Sequence, residues 1–380
     1  MGYVAVKGGT KAIEASLERL KYERLKDGEI IEIQTIMGTM RALIDQVMSE
    51  SSLYSPFLAA LSIKQAEGSM EEAVFIMRAH RSTLPRLYYS DTVESETMFI
   101  ERRISASFKD IPGGQILGAT TDYTHRLLDF SLVNESEDRN EAWLSTYTQA
   151  VETIERQGDE GLYFPKVVDY LRQEGLFEAY DLNNTNPMDV TKETLAFPAP
   201  RSARLQTLTR GQTGAVTALG YASLRGYGQV HPTVGEVRVG TLPIYVRHPN
   251  EAEQDEADSY YIGGIKVSEV ESFVPVPVKN EQNEEELEFE IGYGICYGQN
   301  ETKAIAMSIL DQCLEHPEAD FPTHDEEFVL LHIDSVESTG FISHLKLPHY
   351  VTFQSKLDSI REVKKEREQH EDKDTLCLLR

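Results

Sequence analysis

Apolar residues recur every third or fourth position over 36–49, 54–66 and 70–80, the spacing that lines one face of an α-helix. A further helix is predicted over Ala12–Lys26, where Thr10 can cap the start after the Gly8-Gly9 turn; the short run Tyr3–Val6 before it reads as a strand. Met98–Phe108 is apolar and β-branched, as in a strand, and Asp110-Ile-Pro-Gly-Gly114 is a turn. Thr121–Leu132 fits helix or strand, while Glu141–Gln157 and Tyr163–Leu176 read as helices.

In the second half the period shortens. Gly235–Arg247, Tyr260–Pro275 and Leu287–Tyr297 alternate as strands do, after a small-residue helix over Gly214–Leu224. Asn300 caps a helix over Glu301–Glu315, Phe328–Ile333 is expected to be a buried strand, and Pro348 suits the first turn of a last long helix to about residue 365. The class is therefore α+β: a helical N-terminal half, then a strand-rich half closed by a C-terminal helix. Residues 183–200, rich in Asn and Pro, mark the best boundary between a unit at 1–182 and one at 201–365; residues 366–380 are a charged tail, read as a frayed helix or disorder.

Charge changes this picture. The net charge is −26, which repels nucleic acid and anionic membrane on average. Residues 201–247 run the other way, with six arginines, one acid and no lysine, and 251–290 reverse again with thirteen acids against two lysines. An arginine-only segment in an acidic chain reads either as a cradle for a polyanion or as a set of structural ion pairs. No apolar stretch approaches the roughly 20 residues of a membrane helix. The first residues lack the layout of a secretory signal, and three widely spaced cysteines fit a reducing cytoplasm and exclude a self-contained iron–sulfur cluster.

Four clusters carry candidate chemistry. In Ser343-His344-Leu-Lys-Leu-Pro-His349-Tyr350 two imidazoles stand five residues apart, about 140° around a straight helix, so only a bend at Pro348 brings them together. They make half of a zinc site or a packed histidine pair, with Lys346 between them. Leu224-Arg-Gly-Tyr-Gly-Gln-Val-His231 joins the Arg225 guanidinium to a turn in which Gly226 and Gly228 let backbone N–H groups approach an anion, unless it is an ordinary turn. Asp122 and His125, three residues apart, would share a face if helical, giving a carboxylate to stabilise an oxocarbenium-like centre and an imidazole to protonate a leaving group, or simply a hydrogen-bonded pair. Gly292-Tyr-Gly294-Ile-Cys-Tyr-Gly298-Gln-Asn300 is best explained by packing and capping, since it lacks the order of a phosphate-binding loop.

Taken in order, several blocks resemble the PhnI family, subunits of the bacterial carbon–phosphorus lyase core. They are Tyr-Val-Ala-Val-Lys-Gly-Gly at 3–9, Glu-Arg-Arg-Ile-Ser-Ala-Ser-Phe-Lys-Asp-Ile-Pro-Gly-Gly-Gln at 101–115, Asp-Tyr-Thr-His-Arg-Leu-Leu-Asp-Phe at 122–130, Arg-Gly-Tyr-Gly and His-Pro at 225–232, Asp-Glu-Glu-Phe-Val-Leu at 325–330 and Ser-His-Leu-Lys-Leu-Pro-His-Tyr at 343–350. The resemblance implies a cytoplasmic protein of phosphonate breakdown. With partner subunits of the G, H and J types, two copies per complex, it would displace the adenine of ATP by an alkylphosphonate at ribose C1, giving ribose 1-alkylphosphonate 5-triphosphate. Alone it would be a purine nucleosidase on ATP or GTP. The radical iron–sulfur chemistry would belong to the J subunit, and His344 and His349 would match a zinc site shared with it. On that expectation Arg204, Arg225, Gly226 and Gly228, with Lys346 as a lesser candidate, bind the triphosphate, and Asp122 and His125 catalyse. The alternative is a non-catalytic assembly subunit whose histidines complete the partner's metal site.

Overall fold

A computed structural model describes residues 9–106, 114–155, 165–177, 187–228, 231–247, 259–279, 285–346 and 350–378. The chain begins with α1 (Gly9–Leu25), α2 (Ile33–Thr39), α3 (Arg41–Ser51), α4 (Pro56–Gln65) and α5 (Met70–Thr83), of which α2 to α5 close around Ile36, Ile44, Val47, Met48, Ile63, Val74 and Met77. Ser55 and Ser69 cap α4 and α5 by accepting from Leu58 N and Glu72 N, which fixes where the apolar faces start.

The strands β1 (Phe99–Ser105), β2 (Thr233–Arg247), β3 (Ser259–Lys279) and β4 (Glu285–Tyr297) form one antiparallel sheet in sequence order. Between β1 and β2 the chain makes α6 (Glu137–Glu155), α7 (Val167–Gln173), α8 (Arg201–Arg210) and α9 (Thr213–Ala222); after β4 come α10 (Glu301–Glu315), α11 (Glu326–His332), α12 (Ser335–His344) and α13 (Tyr350–Leu378). The class is α+β. Among the described residues, no helix is long and apolar enough to cross a membrane.

Helix α10 lies on one face of the sheet, buried along nearly its whole length, with α8 and α9 beside it. Glycine makes the approach possible: a Cβ on Gly294 would stand 2.0 Å from Ala304 O, and one on Gly292 2.2 Å from Ser308 O. The other face carries a buried charged lattice. Arg103 Nε donates to Glu236 Oε1 at 2.5 Å, Arg238 Nε to Glu269 Oε2 at 3.1 Å, and Tyr293 Oη to Glu269 Oε1 at 2.9 Å, while Lys166 bridges Glu269 and Glu271. Burial would raise Glu269, but Arg238 and Lys166 hold it down to about 2; burial drives Glu271 up to about 7, against the pull of Lys166.

Three expectations change. Phe328–Ile333 is not a strand but part of α11, because Asp325 accepts from Phe328 N at 2.7 Å and starts a helix that buries Val329 and Leu330. Residues 121–129 are neither α-helix nor strand, and a short 3₁₀ helix, Phe130–Asn134, takes in the end of the predicted segment. The last helix runs on through the charged stretch to Leu378. The predicted strand Tyr3–Val6 and the turn at 110–113 lie outside the described residues.

Candidate active site

A cavity of about 700 Å³ opens between α3, the loop at 119–126, β3 and the start of α10. Three cations line it: Arg41, Arg126 and Lys266. Asp45, Asp122 and Glu301 supply the carboxylates, and Tyr54, Gln299 and Asn300 complete the polar wall.

Each part is held by a local device. Asn300 caps α10 by accepting from Lys303 N, so the first N–H groups of a fifteen-residue helix face this region with their positive end. Gln299 N donates to Asp45 Oδ2 at 2.9 Å. That contact requires Gly298, which has φ +72° and whose Cβ would lie 2.1 Å from Asp45 Cγ. Lys266 N donates to Tyr54 Oη at 2.9 Å, tying β3 to the N-terminal helices.

The loop bearing Asp122 is pinned from below by β1. Arg102, almost wholly buried, gives Nη2 to Asp122 Oδ2 at 2.5 Å, Nε to Glu301 Oε1 at 2.6 Å, and Nη1 to Leu117 O. Gln299 Nε2 holds the same loop through Ala119 O at 2.8 Å, and Arg126 stands 3.9 Å from Asp122. Burial works against the Arg102 charge, and Glu301 and Asp122 outweigh it, so its pKa rises. Desolvation raises the Asp45 carboxyl, although Gln299 N–H, Lys266 and Arg41 favour its ionised form.

Of the residues singled out from sequence, Asp122 lies in this cavity. His125 is exposed on the same loop and is not among the lining residues. Arg204 is engaged elsewhere: it pairs with Glu315, lies 3.7 Å from Glu326, and donates to Ala199 O at 3.3 Å. Arg225 is exposed over the Tyr221 ring, 5.8 Å from its centroid. Gly226 sits there at φ +109°, and Gly228 lies close against Thr323, whose Oγ1 donates to Tyr227 O. Lys346 is exposed just beyond α12. His344 ends α12, where its Nδ1 bonds Phe341 O; His349 lies outside the described residues.

The two readings of the arginine segment are thereby weighed. Arg201 grips Asp311 with Nη2 at 2.6 Å and Nε at 3.2 Å, Arg238 holds Glu269, and Arg247 holds Asp91 at 2.7 Å. These are structural pairs. The cations of the cavity come instead from α3, the 119–126 loop and β3, so no clustering in sequence announced them. The spacing Arg41-x-x-x-Asp45, one turn of helix, was the available signal.

Among the described residues no three or more histidine, cysteine or carboxylate groups converge as a metal site. The contact of Nδ1 with Phe341 O holds the His344 ring at the end of α12, a placement that fits one histidine of the expected pair.

The model of the family described as bacterial phosphonate metabolism protein PhnI matches residues 2–367. The chain is 44% identical over 367 residues to a putative C–P lyase subunit protein, HtxH, of Stutzerimonas stutzeri, covering 95% of each chain. It is 41% identical over 375 residues to the alpha-D-ribose 1-methylphosphonate 5-triphosphate synthase subunit PhnI of Rhizobium meliloti, covering 96% of each. The corresponding Escherichia coli subunit is 39% identical over 374 residues, covering 96% of this chain and 99% of that one.

Proposed function

The chain belongs to the PhnI family of bacterial phosphonate metabolism proteins, and from that premise we propose that it is a subunit of an alpha-D-ribose 1-methylphosphonate 5-triphosphate synthase that carries its nucleotide in the cavity beside Asp122. In the reaction an alkylphosphonate oxygen bonds to ribose C1 as the C1–N bond to adenine breaks, and the departing base takes up a proton. With water in place of the phosphonate, the same attack makes the isolated chain a nucleosidase on ATP or GTP.

The observation that carries this reading is the meeting of Asp122 with Arg41, Arg126, Lys266 and the start of α10 in one cavity. Three cations and a helix N-terminus suit a triphosphate. Asp122, a carboxylate paired with Arg102 and 3.9 Å from Arg126, suits the positive charge that grows on the ribose ring as the base leaves. Asp45 is another carboxyl of the wall, shifted upward by burial, and is a candidate for the proton donor to the base, the role first assigned to His125. Arg204, Arg225, Gly226 and Gly228 remain candidates only if the triphosphate extends to a separate face.

Zinc, if bound, would be held by His344 and His349 with the other ligands from a partner subunit, and would act as a Lewis acid there. The assembly reading draws on a different observation. Leu127, Leu128, Phe130, Val133 and Trp143 are each more than 60% exposed, far more apolar surface than a lone chain ordinarily shows in one stretch. That stretch suits docking to G-, H- or J-type partners and is compatible with catalysis. The deciding experiment is release of free adenine from ATP by the purified chain, alone and with its partner subunits. Release by neither preparation rejects the catalytic reading; release with partners only favours the assembly reading.

A further inference from the structure

Helix α5 and the last turn of α8 bring Arg78, Arg81 and Arg210 together, and none of the three is among the residues lining the nucleotide cavity. Arg78 is fully engaged. Its Nη1 meets Asp334 Oδ1 and Oδ2 at 2.8 and 2.6 Å, Nε and Nη2 donate to Glu50 O at 3.0 and 2.8 Å, and Nη2 also donates to Arg210 O at 3.0 Å.

Arg81 and Arg210 differ. Arg81 gives Nη1 to Ser51 O at 2.9 Å, and Arg210 gives Nη1 to Val190 O at 3.4 Å. Among the described residues, neither has a carboxylate within 4.0 Å. Each guanidinium carries five N–H donors, so most of the donors on both are uncommitted. Both side chains are half-buried.

The nearby acids are already taken. Asp334 serves Arg78, and Asp189 serves Arg86 at 2.5 Å as well as Thr191. Glu50 accepts from Gln46 and from Thr213 N. Buried Lys303, close by, donates to Thr209 O at 2.6 Å and adds another cation. Among the described residues, the acids found beside Arg78, Arg81, Arg86, Arg210 and Lys303 are Asp189, Asp334 and Glu50, with Glu71 held by Gln212. Burial, with Arg78 and Arg81 beside it, lowers Arg210 to about 10, and burial with Arg78 and Arg86 lowers Arg81.

We propose that Arg81 and Arg210 form a binding site for a tetrahedral oxyanion of the phosphate or phosphonate class, held by forked N–H donors and separate from the nucleotide cavity. The planar forks match two oxygens of such an ion, and its charge relieves the repulsion between the two guanidinium groups.

Thermal unfolding of the full-length protein tests this, in phosphate, methylphosphonate and chloride at matched ionic strength. Phosphate or methylphosphonate should raise Tm by several degrees over chloride, and the ion with the lower midpoint concentration identifies the source. Arg81→Gln and Arg210→Gln should each abolish that increment. In chloride each should unfold at or above the wild-type temperature, since one unpaired cation is gone. Arg41→Gln, in the nucleotide cavity, should keep the increment. Equal Tm in all three salts, survival of the increment in both arginine variants, or its loss only in Arg41→Gln would overturn the proposal. None of these outcomes depends on adenine release, so the catalytic reading stands or falls separately.

Discussion

Arg102 and Asp122 join β1 to the loop above the cavity: a nearly buried guanidinium donates at 2.5 Å to a carboxylate that is half exposed. The side chain nearest the proposed chemistry is therefore oriented by a cation whose other end is fixed to Glu301 at the start of α10. Asp122→Asn keeps the shape and loses the charge. Adenine release should fall about 100-fold or more, the scale of a lost electrostatic contact to a transition state. Stability should change by no more than about 1 kcal/mol, because the carboxylate is half in water. Release rates and a denaturation curve on the same preparation check both, and undiminished release would remove Asp122 from the mechanism.

Asp45 yields a pH prediction with a definite sign. Burial raises its folded pKa above the ordinary 3.8, so the folded protein holds a proton that the unfolded chain has released. Stability from this group is full below 3.8 and falls as pH rises through the raised value. Asp45→Asn, neutral throughout, should remove that fall and unfold at a higher temperature than wild type near neutrality. If Asp45 protonates the departing base, release should also decline as pH rises through the same window, and Asp45→Asn should flatten that limb at a reduced rate. A His125→Ala variant that alone erases the limb would return the role to the imidazole.

How much of this was legible in the sequence depends on the range over which each signal acts. Asn300 and the alternation in 235–247 are local, and both the α10 cap and β2 stand where they pointed. Phe328–Ile333 shows the limit: six residues of apolar run hold less than two helical turns, so period cannot decide, and the Asp325 cap does. Asp122 could be singled out because it sits in a block with histidine and arginine neighbours. Arg41 and Asp45, one turn apart on α3, and Lys266 on β3 gave no such block, since only the tertiary fold brings the two elements to the same cavity. In the arginine segment, Arg201, Arg204, Arg238 and Arg247 follow the structural-pair reading, but their partners Asp311, Glu315, Glu269 and Asp91 lie up to more than a hundred residues away and could not be named from sequence.

The charged lattice behind the sheet separates two glutamates that look alike in sequence. Glu269 stays ionised between Arg238 and Lys166, so Glu269→Gln strands two buried cations and should cost about 3–5 kcal/mol. Glu271, raised to about 7 by burial, already shares its site with a proton near neutral pH. Glu271→Gln should cost about 1 kcal/mol or less there. Its sign is that of a raised acid: the wild type loses stability as pH climbs from about 4.5 toward 7, and the glutamine variant does not. Urea denaturation of both variants across that range checks the order, and equal costs would refute the assignment.

Helix α10 reaches the sheet only because Gly292 and Gly294 present no side chain to it. A methyl group at Gly294 meets the carbonyl of Ala304 at 2.0 Å, and neither a strand paired to β3 along its length nor a buried helix can give way cheaply. Gly294→Ala should destabilise by roughly 3 kcal/mol or more, whereas Gly214→Ala, at the start of α9 with no atom within 4 Å of the added methyl, should be close to neutral. The same displacement would move the start of α10, which lines the cavity. Residual folded Gly294→Ala should therefore bind ATP more weakly than Gly214→Ala. Comparing the two by denaturation and nucleotide titration separates the packing role from a general intolerance of alanine.

Zinc offers the last test, since His344 is held by the Phe341 carbonyl at the end of α12, and among the described residues no three ligating groups converge as a metal site. Two imidazoles fill half of a tetrahedral shell, so the isolated chain should bind zinc weakly and release it to a mild chelator. Joined to its partner subunits, it should retain the metal through the same treatment. His344→Ala should abolish that retention while leaving the far-ultraviolet circular dichroism of the chain unchanged, because the ring lies at the end of α12 outside every buried cluster. Metal content by elemental analysis after chelator dialysis decides it. Stoichiometric zinc kept by the isolated chain would mean that the remaining ligands are its own.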